Sequence, residues 1–218
     1  MPCLLDEGFL PYAVELSIFI VASVCCLLLF FFLLLHPLFY RFLCKKNTIQ
    51  MYYRKIYRIA LDEDYYLINS FANKTADIEE FHIDHILIGN KFIYCIRDRY
   101  YDGAIKASEN DERWVFYSRK YKKGTMIVNP LKVNAMRVSK MSLMSGINEK
   151  FFISVVLVND DCLITNYEVT SDSNFVVSLK NLPAFIASKE ALPIEPMDPR
   201  SLAIAAKDIA ELNLHGKK

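Results

Sequence analysis

The first forty residues hold no lysine or arginine, and all 26 basic residues of the chain stand at Arg41 or beyond. Without a basic stretch ahead of its apolar run, the N-terminus does not read as a cleaved signal peptide. None of the six cysteines (Cys3, Cys25, Cys26, Cys44, Cys95, Cys162) forms a Cys-x-x-Cys pair, which argues against a four-cysteine zinc site and a disulfide scaffold. Cys95 and Cys162 lie in apolar runs and read as small core residues, in keeping with a reducing compartment. Only six glycines occur, none clustered, so no Gly-rich phosphate loop is present. No serine or cysteine stands in a nucleophile-elbow setting. Charge of one sign is not in excess, since 26 Lys and Arg face 25 Asp and Glu; a polycation and an acidic tail are both excluded. With 53% hydrophobic and 13% aromatic residues, general disorder is excluded as well.

The hydrophobic excess is local. Residues 16–35 carry no charge, and Leu27–Leu35 reads Leu-Leu-Leu-Phe-Phe-Phe-Leu-Leu-Leu. A helix of that length spans about 30 Å, the hydrocarbon thickness of a bilayer. A core helix rarely lacks polar residues round its circumference, and this stretch has only Ser17 and Ser23. The reading is one transmembrane helix over 16–36, in a single-pass protein of the cell membrane. Before it stand Asp6, Glu7 and Glu15; after it come Arg41, Lys45, Lys46, Arg54, Lys55 and Arg58, with no acid until Asp62. The positive-inside rule then places residues 1–15 outside and the rest in the cytoplasm. Phe39, Tyr40 and Phe42 are expected in the headgroup layer, and Pro37 to end or kink the span.

Beyond the span, residues 37–60 form a basic juxtamembrane segment. Apolar spacing at Ile49, Tyr53, Ile56, Ala60, Leu67 and Phe71 predicts a helix over 47–72. Strands are predicted at 80–88 and 91–99 about the turn Gly89-Asn90, at 103–107, and at 114–117. Asn129-Pro130 breaks the chain before a helix over 131–144. A buried strand at 151–158 leads through the turn Asp160-Asp161 to a strand at 162–169. Asp198-Pro199 then caps a helix over 200–214. This order predicts an α/β fold, a mixed central sheet flanked by helices and preceded by one transmembrane helix.

Ile83-Asp84-His85-Ile-Leu-Ile-Gly, then Lys91–Ile96 and Gly103, resembles the nuclease-related domain (NERD) family, part of the restriction-endonuclease-like PD-(D/E)xK group. Trp114, Asn129-Pro130-Leu131, Asn134 and the apolar strand 151–158 carry the same resemblance. It places a NERD-like domain at 61–190, followed by a C-terminal helix at 191–218. It implies metal-assisted phosphodiester hydrolysis, in which an Asp and a Glu on adjacent strands hold Mg²⁺ or Mn²⁺ and a Lys serves the attacking water. Asp84 matches the first aspartate and would be the metal ligand, while Glu63 or Asp64 matches an acid of the first helix. The pattern then fails. Where the family has Glu-x-Lys this chain reads Arg97-Asp98-Arg99, and Val133 stands where glutamine is common. Strand alternation puts Arg97 and Arg99 on one face and Asp98 on the other. His82 falls on the face of Asp84 and His85 on the opposite one, so the two histidines do not join Asp84 in one metal site.

Two readings of this site stand. One is an active nuclease with a rearranged site drawing on Asp102 or Glu80. The other is a pseudo-enzyme without cofactor, whose arginines pair with Asp84 or take a phosphate. Independently of the resemblance, residues 113–148 hold no acid and eight basic residues: Arg113, Arg119, Lys120, Lys122, Lys123, Lys132, Arg137 and Lys140. Trp114, Phe116, Tyr117 and Tyr121 are interleaved with them. That composition suits a phosphate-tracking, base-stacking surface for DNA or RNA, and equally a loop on anionic lipid. The sequence thus reads as a membrane-anchored domain binding nucleic acid or another polyanion, with nuclease activity lost. A structural subunit among other members of a membrane assembly is the remaining alternative.

Overall fold

The computed structural model describes residues 9–46, 48–74, 80–120 and 123–214, the side chains of 9–13, 37–46, 48 and 49 excepted. Two compact units divide at Thr48. The first is built on one helix, α1 (Phe9–Lys46). Within it Val14–His36 has a mean hydropathy of 3.2 and no buried residue, long and apolar enough to cross a membrane. The helix runs on through Pro37 instead of ending there: a ring at that place removes one hydrogen bond, that to the carbonyl of Leu33, and the remaining ladder is kept. Phe39, Tyr40, Phe42, Arg41, Lys45 and Lys46 have side chains outside the described residues, as do Asp6 and Glu7.

The second unit opens with α2 (Thr48–Asp62) and closes with α5 (Pro199–Leu212). Between them lie β1 (Tyr66–Lys74), β2 (Glu80–Ile88), β3 (Ile93–Arg99), β4 (Gly103–Lys106), β5 (Arg113–Ser118), β6 (Thr125–Val128), α3 (Pro130–Ser145), β7 (Phe152–Val158), β8 (Leu163–Thr165), β9 (Asn174–Ser178) and α4 (Leu182–Glu190). The strands form two sheets, not one: β1-β2-β3-β7-β9 and β6-β5-β4-β8. In the first, β1, β2 and β3 are antiparallel, while β3, β7 and β9 are parallel. Every residue of β7 is buried, as expected of a central strand covered on both faces.

Helices cover both faces of this sheet. On one, Tyr52, Ile56 and Ile59 of α2 and Ile186 of α4 pack on Leu87, Tyr94, Ile96 and Leu157. On the other, Val138 and Met141 of α3 and Leu202 and Ile209 of α5 pack on Ile86, Ile88, Ile93 and Cys95. The second sheet closes a third core of Ile105, Trp114, Leu131, Val156 and Val158. Asn129 caps α3, its Oδ1 accepting from the Leu131 N–H at 2.9 Å, with Pro130 in the first turn. Asp198 caps α5 in the same way, accepting from Arg200 and Ser201 N–H.

The helix predicted over 47–72 is corrected here. α2 ends at Asp62, Asp64 takes a left-handed φ of 56°, and the Tyr65 N–H closes on the Ala60 carbonyl at 2.9 Å. The chain then enters β1. Its Leu67 and Phe71 mimic helical spacing because the pleat is interrupted at Ser70, where φ is 52°. Leu67 therefore packs toward α2, whereas Ile68 and Phe71 both pack toward α3 and α5. The strand expected over 162–169 is shorter, since Asn166 turns left-handed at φ 56°. Strands β6 and β9 and helix α4 are additional elements, too short to show a period of their own.

Candidate polyanion site at the parting of two strands

Strands β2 and β3 pair from Ile88↔Ile93 to His85↔Ile96, and no further. Asp84 and Arg97 are the next residues along each strand. The Asp84 carboxylate enters the gap, Oδ2 accepting from the Asp98 backbone N–H at 2.9 Å. Its Oδ1 accepts from Arg97 Nη1 at 2.8 Å. A side chain thus takes the hydrogen bond that the ladder gives up, and both carboxylate oxygens are engaged.

Two more guanidinium groups gather there. Arg99 lies two residues on, its Nη1 donating to the Asp98 carbonyl at 3.3 Å. Arg137 arrives from α3, within electrostatic reach of Arg97, Arg99 and Asp84. Burial pushes the Arg137 guanidinium down to about 10, and the charges of Arg97 and Arg99 add to the effect. Burial also lowers Arg97, against the pull of Asp84. Arg97 Nε and Arg137 Nη1 are buried without a hydrogen-bond partner. The cluster holds three cations around Asp84, with the Asp98 carboxylate also within electrostatic reach of Arg97.

A separate network lies beside it. His85 sits between Asn69 and Asp98, with Nδ1 2.6 Å from Asn69 Oδ1 and Nε2 2.9 Å from Asp98 Oδ2. Burial raises the Asp98 carboxyl, while His85 opposes the rise. Tyr52 on α2 donates its hydroxyl to the Arg99 carbonyl at 2.8 Å. His82 is elsewhere, 3.2 Å from Glu80 on the surface.

The donor set does not suit the divalent cation that the family resemblance implies. Asp84 is spent on Arg97 and on a backbone N–H, and Asp98 meets His85 through Oδ2 while its Oδ1 is buried without a partner, which leaves no pair of free carboxylates facing one another. Among the described residues no three His, Cys, Asp or Glu come together as a metal site. Glu63 and Asp64, the helical-acid candidates, stand past the end of α2 beside Tyr65, where β1 begins opposite Ile88. Asp84 is four residues down β2 from Ile88, about 13 Å along the strand. Within α2 no acid precedes Asp62. Asp102 pairs loosely with Arg119 at 3.8 Å, and Glu80 with His82, so neither replaces the missing glutamate.

The basic stretch is divided by the fold. Trp114 is 1% exposed, and its indole N–H donates to the Ser108 carbonyl at 2.7 Å, so the ring is core and offers no stacking face. Phe116 packs inward against Tyr101. Tyr117 is exposed, and Tyr121 and Lys122 lie outside the described residues. Arg113, Lys120 and Lys123 are exposed, and Arg119 also donates to the Asp161 carbonyl at 2.9 Å. Lys132 pairs with Glu112. Among the described basic residues of the stretch, Arg137 joins Arg97 and Arg99. It stands on α3 beside the buried stripe of Leu131, Asn134, Val138 and Met141, and the packing of that stripe on the sheet brings it here.

No curated protein matches the chain. The model of the nuclease-related domain family matches residues 50–159, from α2 to the end of β7. The two strands carrying Asp84 and Arg97, the helix carrying Arg137 and four of the five strands of the mixed sheet lie within that match. The chain belongs to the nuclease-related domain family.

Proposed function

We propose that this chain anchors a nuclease-related domain to the membrane through Val14–His36, with the N-terminus outside and the domain in the cytoplasm, and that the domain binds nucleic acid or a similar polyanion without cleaving it. The observation that carries the reading is the 2.8 Å bond from Arg97 to Asp84. A guanidinium keeps its proton at any ordinary pH and cannot ligate a metal. Three guanidinium groups outnumber the two carboxylates, Asp84 and Asp98, within their reach, and the net positive field favours phosphate oxygens. The anchoring rests on a 23-residue apolar stretch with no buried residue and on the charge asymmetry of its flanks.

The test uses the full chain in detergent micelles with single- and double-stranded DNA and RNA, with and without Mn²⁺, reading both binding and cleavage. Binding is expected to weaken with salt, with a log–log slope of about −0.7 per phosphate neutralised on a single strand. No Mn²⁺-dependent cleavage is expected. Arg97→Glu with Arg99→Lys restores the acidic pair and is expected to bind Mn²⁺ where the parent chain does not. Robust cleavage by the parent, abolished in Asp84→Ala, would overturn the reading.

A further inference from the structure

The second sheet has a face that its own core does not use. Register assigns the faces: Ala104 lies between Leu163 and Tyr117, Lys106 between Thr165 and Val115, Val115 beside Met126, and Arg113 beside Val128. The alternate residues Ile105, Trp114, Phe116, Ile127 and Ile164 pack into the third core. The outward set is open to solvent. Leu163 is 69% exposed, Val128 64%, Met126 61% and Tyr117 44%. An apolar patch shared by three strands is unusual on a soluble monomer and marks an interaction surface. Lys106 and Arg113 stand among these side chains, both exposed. The β5–β6 turn adds Lys120 and Lys123, while Arg119 there pairs with Asp102, and no acid occurs from Arg113 to Asn148. Asp111 and Glu112 border a depression of about 400 Å³ beside Met126, and Glu112 is neutralised by Lys132.

We propose that this face of the second sheet docks on an anionic bilayer surface. Exposed aliphatic side chains flanked by Lys and Arg match the boundary where apolar groups enter lipid and cations remain at the headgroups. Tyr117 is the one aromatic the face presents among the described residues, which makes it a poor stacking platform for bases. The chain also brings its own bilayer close. Residues 37–51 separate the end of the apolar stretch from Tyr52, the first buried side chain among the described residues. Such a segment reaches at most about 50 Å. Docking is then an intramolecular event at high effective concentration. The proposal rests on the anchoring stated above and is independent of the arginine cluster.

The full chain is placed in nanodiscs of phosphatidylcholine alone or mixed with phosphatidylglycerol, and hydroxyl-radical footprinting is read at three methionines. Met136, 53% exposed on α3, and Met141, fully buried, give the open and closed limits. In anionic discs Met126 is expected to move from the Met136 limit toward the Met141 limit. In neutral discs it stays near Met136. Lys106→Glu with Arg113→Glu is expected to restore its oxidation in anionic discs, with a docked-to-undocked ratio at least about tenfold lower. The emission of Trp114 reports whether that variant is folded. A chain that fails to co-elute with the discs refutes the anchoring, and docking falls with it. Co-elution with Met126 as reactive as Met136 in both lipids refutes docking alone. Protection that follows protein concentration instead of lipid charge assigns the face to a second copy, and protection appearing only with single-stranded DNA assigns it to nucleic acid. Either result overturns the proposal.

Discussion

By the sequence resemblance Arg97 stands where the family's Glu-x-Lys pattern has its glutamate, and its 2.8 Å bond to Asp84 changes what that carboxylate can do. A carboxylate facing another carboxylate needs a cation between them, whereas a carboxylate facing a guanidinium already has one. Arg137 then adds a charge that the ion pair does not need. Burial holds its guanidinium down at about 10, below its ordinary value, so folding disfavours the charged form. The penalty is present in full below about pH 10 and is relieved as pH rises through the folded value toward the ordinary one. Arg137→Met is therefore expected to stabilise the domain at neutral pH, by up to about 1 kcal/mol after solvent screening, while weakening polyanion binding. The gain should shrink above pH 10. Thermal unfolding followed by Trp114 emission, the chain's sole tryptophan, measures both. At Trp114 itself the fully buried ring and its indole bond make Trp114→Ala costly. A loss of about 3–5 kcal/mol is expected, read as a shift in the urea midpoint by circular dichroism.

Among the helices, α3 is tied to the first sheet by a buried polar side chain. Asn134 is buried on it and donates from Nδ2 to the Cys95 carbonyl and Ser154 Oγ, each at 2.9 Å, so one amide holds the helix against β3 and β7. Asn134→Ala is expected to cost about 1–3 kcal/mol, because the groups it serves are left buried without a partner. A lower denaturant midpoint, with weaker polyanion binding as Arg137 loses its footing, would bear this out. Elements with their own signals were legible from the sequence. Asn129-Pro130 and Asp198-Pro199 started α3 and α5 as expected, and the apolar run before Asp160 formed β7. β1 was not legible, since an interrupted pleat at Ser70 gives a strand the spacing of a helix. Of the site, Asp84 facing Arg97 was legible by analogy of position. Arg137 was not, because its neighbours in sequence belong to a basic stretch that the fold divides.

For the whole molecule the governing asymmetry is charge. Reporters fused after Lys218 and before Met1 are expected to be active in the cytoplasm and outside it, respectively. Protease digestion of residues 49–218 in intact cells would show the opposite orientation. The sequence by itself determined the apolar span, the caps of α3 and α5, the strands β2, β3 and β7 and the family, because each depends on neighbours a few residues apart. Caps are satisfied within a turn, and periodic burial is written into the side chains themselves. Only the tertiary structure decided that there are two sheets, that Trp114 is core, that one face of the second sheet is left open, and that Arg137 meets Arg97 and Arg99. Those outcomes depend on strand register and on the packing of α3 against the sheet. Register joins residues far apart in the chain through backbone hydrogen bonds that are the same for every side chain, and so no local pattern announces them.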